Sequence, residues 1–271
     1  MTRRLSNAED WRFEVAQGRI TGHYYTEKFG RNPEIDTGAE EDIYSYGGNF
    51  HYPVVPTQIF VRSSSAADQG GSPLGTGCWE VTVLGLDGDY NPQTDTFVLD
   101  GVNHVEGSTS PLKTWLRVYR VKCGACGSGG TNAGDIHVID DAVSSPGNML
   151  GHIVAGEGQS EQAQFTVRAG HTAQIIMGET SLRETSQGAL KETSSLTQVW
   201  IRDYNESSTD NYNCWRKVES IDLNNRGKGQ ASFGPISQIS EKADIRVSAI
   251  VGANDTQVDA SFQIVEVRNS L

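Results

Sequence analysis

Residues 77–140 contain short segments in which apolar and polar residues alternate, separated by turn-forming residues. In the first segment, residues 79–84, a tryptophan and two valines fall on one side of the alternation. Because successive side chains of a strand leave on opposite faces, this period of two predicts a strand with one better-buried face. The sequence DGDYNPQTD interrupts the pattern and residues 96–99 resume it, which predicts a hairpin. Further extended runs at 116–121 and 136–139 extend the prediction to an antiparallel sheet.

The same pattern continues to the end of the chain. Thirty glycines mark many connections, and roughly a dozen strand candidates follow one another without the helical periods that βαβ units need. We predict an all-β protein of antiparallel β-sandwich or jelly-roll-like domains. An N-terminal arm over 1–56 carries one short helix, a first sandwich spans 57–145 and a second spans 146–271. One continuous double-layered body is the alternative.

The predicted arm has one helix signal and many aromatic residues. Ser6 and Glu9 have capping-box spacing, and Gly18 is placed to end the helix. A solvated linker is normally poor in aromatic residues, so the arm is expected to pack on something. Its own β domain is favoured because most buried aromatic surface serves its own core; a neighbouring subunit is the alternative. The candidate partner-binding residues are Trp11, Phe13, Tyr24, Tyr25, Phe29, Tyr44 and Tyr46.

The net charge bears on which partners the chain can bind. A formal charge of −12 and a pI of about 4.9 argue against nucleic acid and against an anionic membrane surface, since both attract a positive footprint. No apolar run approaches the roughly 20 residues of a membrane helix. The first fifteen residues also lack the apolar segment of a secretory signal. We therefore expect synthesis in a cytoplasm and a soluble product.

The sequence offers few candidates for chemistry. DGDYNPQTD begins like the D-x-D-x-N of a calcium loop, but Pro92 stands where that loop needs glycine and Val98 where it needs a bidentate glutamate. A hairpin turn satisfied by Asp and Asn side chains is therefore favoured over calcium. The six histidines show no H-x-H or H-x-x-x-H spacing, and no nucleophile elbow, P-loop or dinucleotide fingerprint occurs. We predict no catalytic residue, metal or cofactor, and hence no enzyme.

One pair of cysteines is close in sequence. Cys123 and Cys126 are candidates for a redox pair, a metal half-site or a structural clip. They follow a strand and precede a glycine-rich loop, which favours a local disulfide in an extracellular particle or two free thiols. Cys78 and Cys214 each precede a tryptophan and are interpreted as small apolar core residues. The redox state of all four stays open.

Several phrases, in one order, extend over almost the whole chain. With them the sequence resembles a group of virion structural proteins of tailed bacteriophages. They are GRITGHYYTEKFGRNPEIDTGAEEDIYSYGG, LGLDGDYNPQTDTFVLDG, WLRVYRV, GSGGTNAGDI, GQSEQAQFTVRAGHTAQI, ISEKADIRVSAIV and VDASFQIVEV. The CGAC insertion before GSGGTNAGDI and Cys214 depart from the group, which raises a disulfide formed after the particle leaves the reducing host cytoplasm.

The resemblance implies a non-enzymatic component of a virion, made in the host cytoplasm. Members of the group are β-rich capsid decoration (cement), neck or tail proteins. Capsid decoration ranks first because the chain has no fibrous repeat, and a neck, collar or tail-fibre role is the alternative. The implied partners are other virion subunits and further copies of the chain. A carbohydrate-binding host-attachment module and a β-sandwich hydrolase are the competing classes; the second needs paired carboxylates that the sequence does not single out.

Overall fold

The computed structural model describes residues 11–140, 148–184, 194–208, 211–224, 231–233 and 235–269. These residues form one short helix, α1 (Trp11–Ala16), and sixteen strands, and the pairings between strands are antiparallel. The all-β prediction is confirmed. Among the described residues, no helix is long and apolar enough to cross a membrane. The strands are β1 (His23–Ile35), β2 (Glu41–Asp42), β3 (Phe60–Ser63), β4 (Glu80–Leu86), β5 (Pro92–Val98), β6 (Arg117–Cys123), β7 (Ile136–Ile139), β8 (Met149–Ile153), β9 (Gln164–Thr166), β10 (His171–Glu184), β11 (Ser194–Arg202), β12 (Arg216–Asn224), β13 (Ala231–Phe233), β14 (Ile236–Ile239), β15 (Asp244–Val251) and β16 (Thr256–Arg268).

Two five-stranded sheets form what we call the C-terminal sandwich. One has the order β1-β16-β10-β13, with β14 also on β10, and the other has the order β12-β11-β15-β2, with β9 also on β15. Alternate residues of β16, from Val258 to Ile264, are buried in one apolar cluster with Val199 of β11 and Val247 of β15. The period of two therefore places the apolar face of each sheet against the other.

Two three-stranded sheets form the N-terminal sandwich. Their orders are β3-β7-β8 and β5-β4-β6. Val81 and Val83 of β4 share a buried cluster with Val61 of β3 and Val138 of β7. The predicted hairpin is confirmed, with Glu80 opposite Val98 at one end of β4 and β5. The fourth predicted run, β7, lies in the facing sheet.

The turn of this hairpin contains the loop that begins like a calcium site. Oδ1 of Asp87 accepts hydrogen bonds from the backbone N–H groups of Asp89 (2.9 Å) and Asn91 (2.8 Å). Tyr90 has a φ of 63°, a left-handed conformation typical of tight turns. One carboxylate oxygen of Asp87 thus satisfies the turn itself, as expected for a hairpin loop.

The strand pairing joins parts of the chain that the predicted domain division separates. β1 belongs to the predicted arm, yet it pairs with β16 from His23 opposite Val267 to Ile35 opposite Thr256. β8 lies beyond residue 145, yet it pairs with β7. Each sandwich therefore includes strands from outside its predicted range, and the division into two domains rather than one continuous body stays a prediction.

A buried ion cluster connects the two sandwiches. Arg117 of β6 donates from Nε and Nη2 to the two carboxylate oxygens of Asp244 on β15, each at 2.9 Å. Arg202 of β11 binds the same carboxylate, and the pKa of Asp244 is held below its usual value by Arg117 and Arg202, against the effect of burial. Asp244 is fully buried, so the cluster fixes one sandwich against the other through charges that water does not screen.

Candidate interaction surface and polar clusters

Aromatic side chains are exposed in one part of the described structure. Trp11, Phe13, Tyr24 and Phe29 are 40%, 66%, 38% and 41% exposed, and within the described residues they are the exposed aromatic side chains. We call residues 11–29 the proximal aromatic segment. Large apolar groups that stay in water form either a binding surface or an aggregation hazard when they lie together.

The helix of this segment ends where the sequence predicts. The N–H of Arg19 bonds to the carbonyl of Glu14, and the N–H of Gly18 to that of Val15. Gly18 has a φ of +69°, and this left-handed conformation suits the residue that follows a helix end. Val15 is the buried anchor of α1. The predicted capping box, Ser6 and Glu9, lies outside the described residues.

Strand β1 forms one edge of its sheet, with β16 as its neighbour. Alternation buries Lys28, Gly30 and Asn32 on the inner face and leaves Phe29 exposed on the outer face. A Cβ atom at Gly30 would lie 2.3 Å from the backbone nitrogen of Ala163, so glycine is needed for this close approach. Tyr24, five residues before Phe29, lies on the opposite face, where Arg168 stacks 4.4 Å from its ring centre.

The second half of the predicted arm is packed against the protein itself. Tyr44 is 1% exposed and contacts Phe50 edge to face, with ring centres 5.5 Å apart. Both belong to a cluster with Ile139 of β7 and Met149 of β8, against which Tyr46 packs. We call residues 44–52 the distal aromatic segment. The distal segment therefore packs on its own chain, which was the favoured alternative. In the proximal segment, Tyr25 is partly buried.

Two histidines stack across neighbouring strands. His137 of β7 lies opposite His152 of β8 in the register, with ring centres 5.2 Å apart. Ser45 Oγ lies 3.1 Å from Nδ1 of His152, and ring atoms of both histidines come close to the carboxylate of Asp135. Burial and the neighbouring His137 lower the pKa of His152 to about 4. The pair is therefore neutral near pH 7.

Lys28 is buried without an ion pair in the hydrogen bonds and salt bridges of the described residues. Its Nζ donates to the backbone carbonyl of Tyr119 and lies over the aromatic ring of the same residue. Burial, and then the charge of Arg120, hold the pKa of Lys28 well below its usual value. A neutral lysine is a nucleophile candidate, but an exposure of 2% leaves no route for a substrate to reach it.

Three of the four cysteines converge. Cys78 lies beside Cys123 and Cys126, and the three sulfur atoms are within 4.8 Å of one another. Cys214 is exposed on a different segment, and all four are free thiols in this structure. The interpretation as a small core residue agrees with the position of Cys78 but is wrong for Cys214, which is exposed. No pattern in the sequence indicated the sulfur partners of Cys78.

Long-range pairing explains why these clusters were missed. His137 and His152 belong to different strands, and Cys78 is far from the C-x-x-C pair in sequence, so neither group has a spacing motif. A signal existed only for the pair Cys123 and Cys126. Trp115 is buried and Trp215 is half-buried, so neither ring is freely exposed for stacking on a sugar, as a carbohydrate-binding module would need.

Comparison with known proteins gives distant similarities. No family model matches the chain, and no curated protein sequence matches it. Among solved structures, the VP2 subviral particle of infectious bursal disease virus is 11% identical with a TM-score of 0.22, covering 92% of this chain and 73% of that one. The Gx strain of that virus gives 11% identity and a TM-score of 0.24 over 92% and 72% of the two chains. At these scores the similarity establishes neither a shared fold nor a shared function.

Proposed function

We propose that this chain is a non-enzymatic structural protein of a tailed-bacteriophage particle, and that it decorates and stabilises the capsid. A neck, collar or tail-fibre position is the alternative. Its partners are neighbouring virion subunits, including further copies of itself. The sequence resemblance motivates the proposal, and the exposed proximal aromatic segment is the observation that carries it.

The proximal aromatic segment has the composition of a protein–protein contact. Aromatic residues are enriched at the centres of interfaces, where they bury a large area at low cost in side-chain entropy. Trp11 and Phe13 lie on a helix of one and a half turns, and Phe29 lies on the outer face of an edge strand. A helix this short gains stability from packing rather than from propensity, so docking on a neighbour would also stabilise α1.

The edge of β1 offers a second way to contact a neighbour. An edge strand presents backbone groups that can pair with a strand from another chain. β1 is thirteen residues long, which is long for an edge strand, although Glu27, Arg31 and Pro33 within it are residues of the kinds that limit such pairing. Exposed aromatic groups and a long edge in one segment favour docking there over the rest of the surface.

The experiment replaces the exposed aromatic groups and leaves the fold intact. A deletion of residues 1–42 is unsuitable because it removes β1 and the buried Ile35. We would instead make the triple variant Trp11→Ser, Phe13→Ser and Phe29→Ser. Co-sedimentation with particles that lack the protein should fall at least about tenfold, since alanine-scale losses at interface aromatics reach about 2 kcal/mol each.

A matched control removes as many exposed apolar groups elsewhere. Val54, Val55 and Val102 are exposed outside the proximal segment, and their triple change to serine should leave co-sedimentation unchanged. If the aromatic triple variant binds particles as the wild type does, the proposed docking segment is wrong. Immunogold labelling of intact particles then separates the two positions: label over the head supports decoration, label at the neck or tail supports the alternative, and absence of label contradicts a virion role.

A further inference from the structure

The three converging cysteines are held by the fold rather than by one loop. Cys123 is the last residue of β6 and lies opposite Val81 of β4. The chain then turns back, so that Cys126 pairs with Cys78 through their backbones. The backbone N–H of Trp79 donates to the carbonyl of Ala125 at 2.8 Å. Two antiparallel backbone segments therefore place three sulfur atoms at one end of the N-terminal sandwich.

A buried carboxylate supports this end of the sandwich. Asp68, which is fully buried, accepts the N–H of Cys78 at 2.7 Å. It also accepts the N–H groups of Ala133 (2.8 Å) and Gly134 (2.9 Å) in the glycine-rich loop. The backbone around Cys78 is thus fixed before any ligand binds. A binding site whose ligand-binding groups are already held in place binds more strongly.

Glycines beside the cysteines let the two segments approach closely. A Cβ atom at Gly127 would lie 2.4 Å from the carbonyl oxygen of Gly75, and one at Gly124 would lie 2.9 Å from a carboxylate oxygen of Glu80. A larger residue at Gly127 would collide with this backbone and push the neighbouring Cys126 away from Cys78, whereas the Glu80 side chain beside Gly124 can move. The local sequence therefore serves the convergence of the three sulfur atoms.

We propose that Cys78, Cys123 and Cys126 bind a thiophilic metal ion of the Zn²⁺ class, with three thiolate ligands and a fourth position open to solvent. Zn–S bonds of about 2.3 Å in a tetrahedron put the sulfur atoms about 3.8 Å apart. The present spacing, within 4.8 Å, needs a contraction of about 1 Å at most. Cys78 is buried while Cys123 and Cys126 are half-buried, so the open position faces outward.

The chemistry of the three thiols favours a cation over three free groups. Three adjacent thiolates repel one another without a positive charge between them, so a cation bound among the three sulfur atoms stabilises their deprotonated forms. Binding of one Zn²⁺ to the three thiols releases up to three protons and leaves a complex of charge −1. A disulfide is the competing state, but it joins two sulfur atoms and leaves the third unused.

The test measures metal uptake by the reduced full-length protein. Titration with Zn²⁺ against a chromophoric chelator should give one equivalent bound, and Co²⁺ should give a thiolate-to-metal charge-transfer band in the near ultraviolet. Cys126→Ser, at a half-buried position that tolerates the change better than Cys78, should weaken Zn²⁺ binding by at least about tenfold. Cys214→Ser is the matched control and should bind as the wild type does.

Three outcomes would overturn the proposal. The first is that the reduced wild type takes up no Zn²⁺ and shows no charge-transfer band with Co²⁺. The second is that Cys126→Ser and Cys214→Ser bind Zn²⁺ equally well, which would place the ion elsewhere. The third is that the protein, isolated without added reductant, has two thiols fewer than its four cysteines and a Cys123–Cys126 disulfide by mass spectrometry, with no metal bound after reduction.

Discussion

The proximal and distal aromatic segments have similar compositions and opposite environments. Phe13 and Phe29 are exposed, whereas Tyr44 and Phe50 are packed on β7 and β8. The difference lies in the surface opposite each segment, because the outer face of the β3-β7-β8 sheet supplies apolar partners for the distal residues. Aromatic density thus predicts that a segment makes contacts, but it does not predict whether the partner is the same chain.

The distal segment also reaches the ion cluster between the sandwiches. The ring of Tyr52 packs against Phe50 and lies under the guanidinium groups of Arg117 and Arg202, at 5.3 and 4.8 Å from the ring centre. These arginines are held by Asp244. The rings of the distal segment therefore pack against both sandwiches, while the proximal segment pairs with β16 and contacts the N-terminal sandwich through the polar contact of Lys28 with Tyr119.

The largest effect should follow from removing the charge at this junction. Asp244→Asn leaves Arg117 and Arg202 buried without their anion, and we expect the free energy of unfolding to fall by about 3–5 kcal/mol. Urea denaturation measures the change. Glu14→Gln, which breaks the exposed pair with Arg19 in the proximal segment, should cost less than about 1 kcal/mol. Equal effects of the two changes would contradict the central role of the junction.

A smaller effect should separate the two segments directly. Phe50→Ala removes a buried ring and should lower the free energy of unfolding by about 3 kcal/mol. Phe29→Ala removes a ring that is 41% exposed and should change it by less than about 1 kcal/mol. Thermal and urea unfolding of the two variants test the contrast, and a large loss for Phe29→Ala would mean that the proximal segment packs on this chain after all.

The histidine pair beneath Tyr46 should make the distal segment sensitive to acid. The groups facing His152 are His137, Asp135 and the hydroxyl of Ser45, and Arg62 faces His137. Its pKa is lowered from 6.5 to about 4 in the folded state, so between these values the unfolded chain binds more protons. Stability from this group is present above pH 6.5 and is lost as the pH falls, by about 1.6 kcal/mol between pH 6.5 and 5.

A variant isolates this contribution from opposing groups. Burial raises the pKa values of Glu161 to about 7 and Asp42 to about 6, which makes the folded state more stable as the pH falls. Glu161 and Asp42 contribute equally to the stability of the wild type and of His152→Asn, so their contributions cancel in the difference between the two proteins. We expect the variant to lose less stability than the wild type between pH 6.5 and 5, and His23→Gln, at a partly exposed site, to behave as the wild type. Parallel pH profiles for wild type and His152→Asn would contradict the assignment.

The sequence predicted local structure better than it predicted partners. Alternation in residues 79–84 and 96–99 was sufficient for the β4–β5 hairpin, because adjacent strands joined by a short turn pair with each other. The alternation did not place β7 in the facing sheet, since the glycine-rich loop before β7 allows the chain either to stay in the β5-β4-β6 sheet or to cross to the other one. The pairing of His137 with His152 and of Cys78 with Cys126 depends on register between distant strands, which no local pattern encodes.

The smallest effect concerns the helix of the proximal segment. Gly18 has a left-handed φ, and no atom lies within 4 Å of the site where a Cβ would be, so Gly18→Ala costs only the backbone strain of about 1 kcal/mol. Val15 is the one buried residue that attaches α1 to the rest of the protein. The strain should therefore destabilise α1 without destabilising the sandwiches. Hydrogen exchange of residues 11–19 should therefore quicken about fivefold, by the usual conversion of free energy to an equilibrium constant, while the global unfolding midpoint hardly moves. Gly18→Asn should exchange more slowly than Gly18→Ala because asparagine tolerates this conformation. An equal shift in global stability and in local exchange would show instead that α1 folds as one unit with the sandwiches, and the proximal segment would then resemble the distal one.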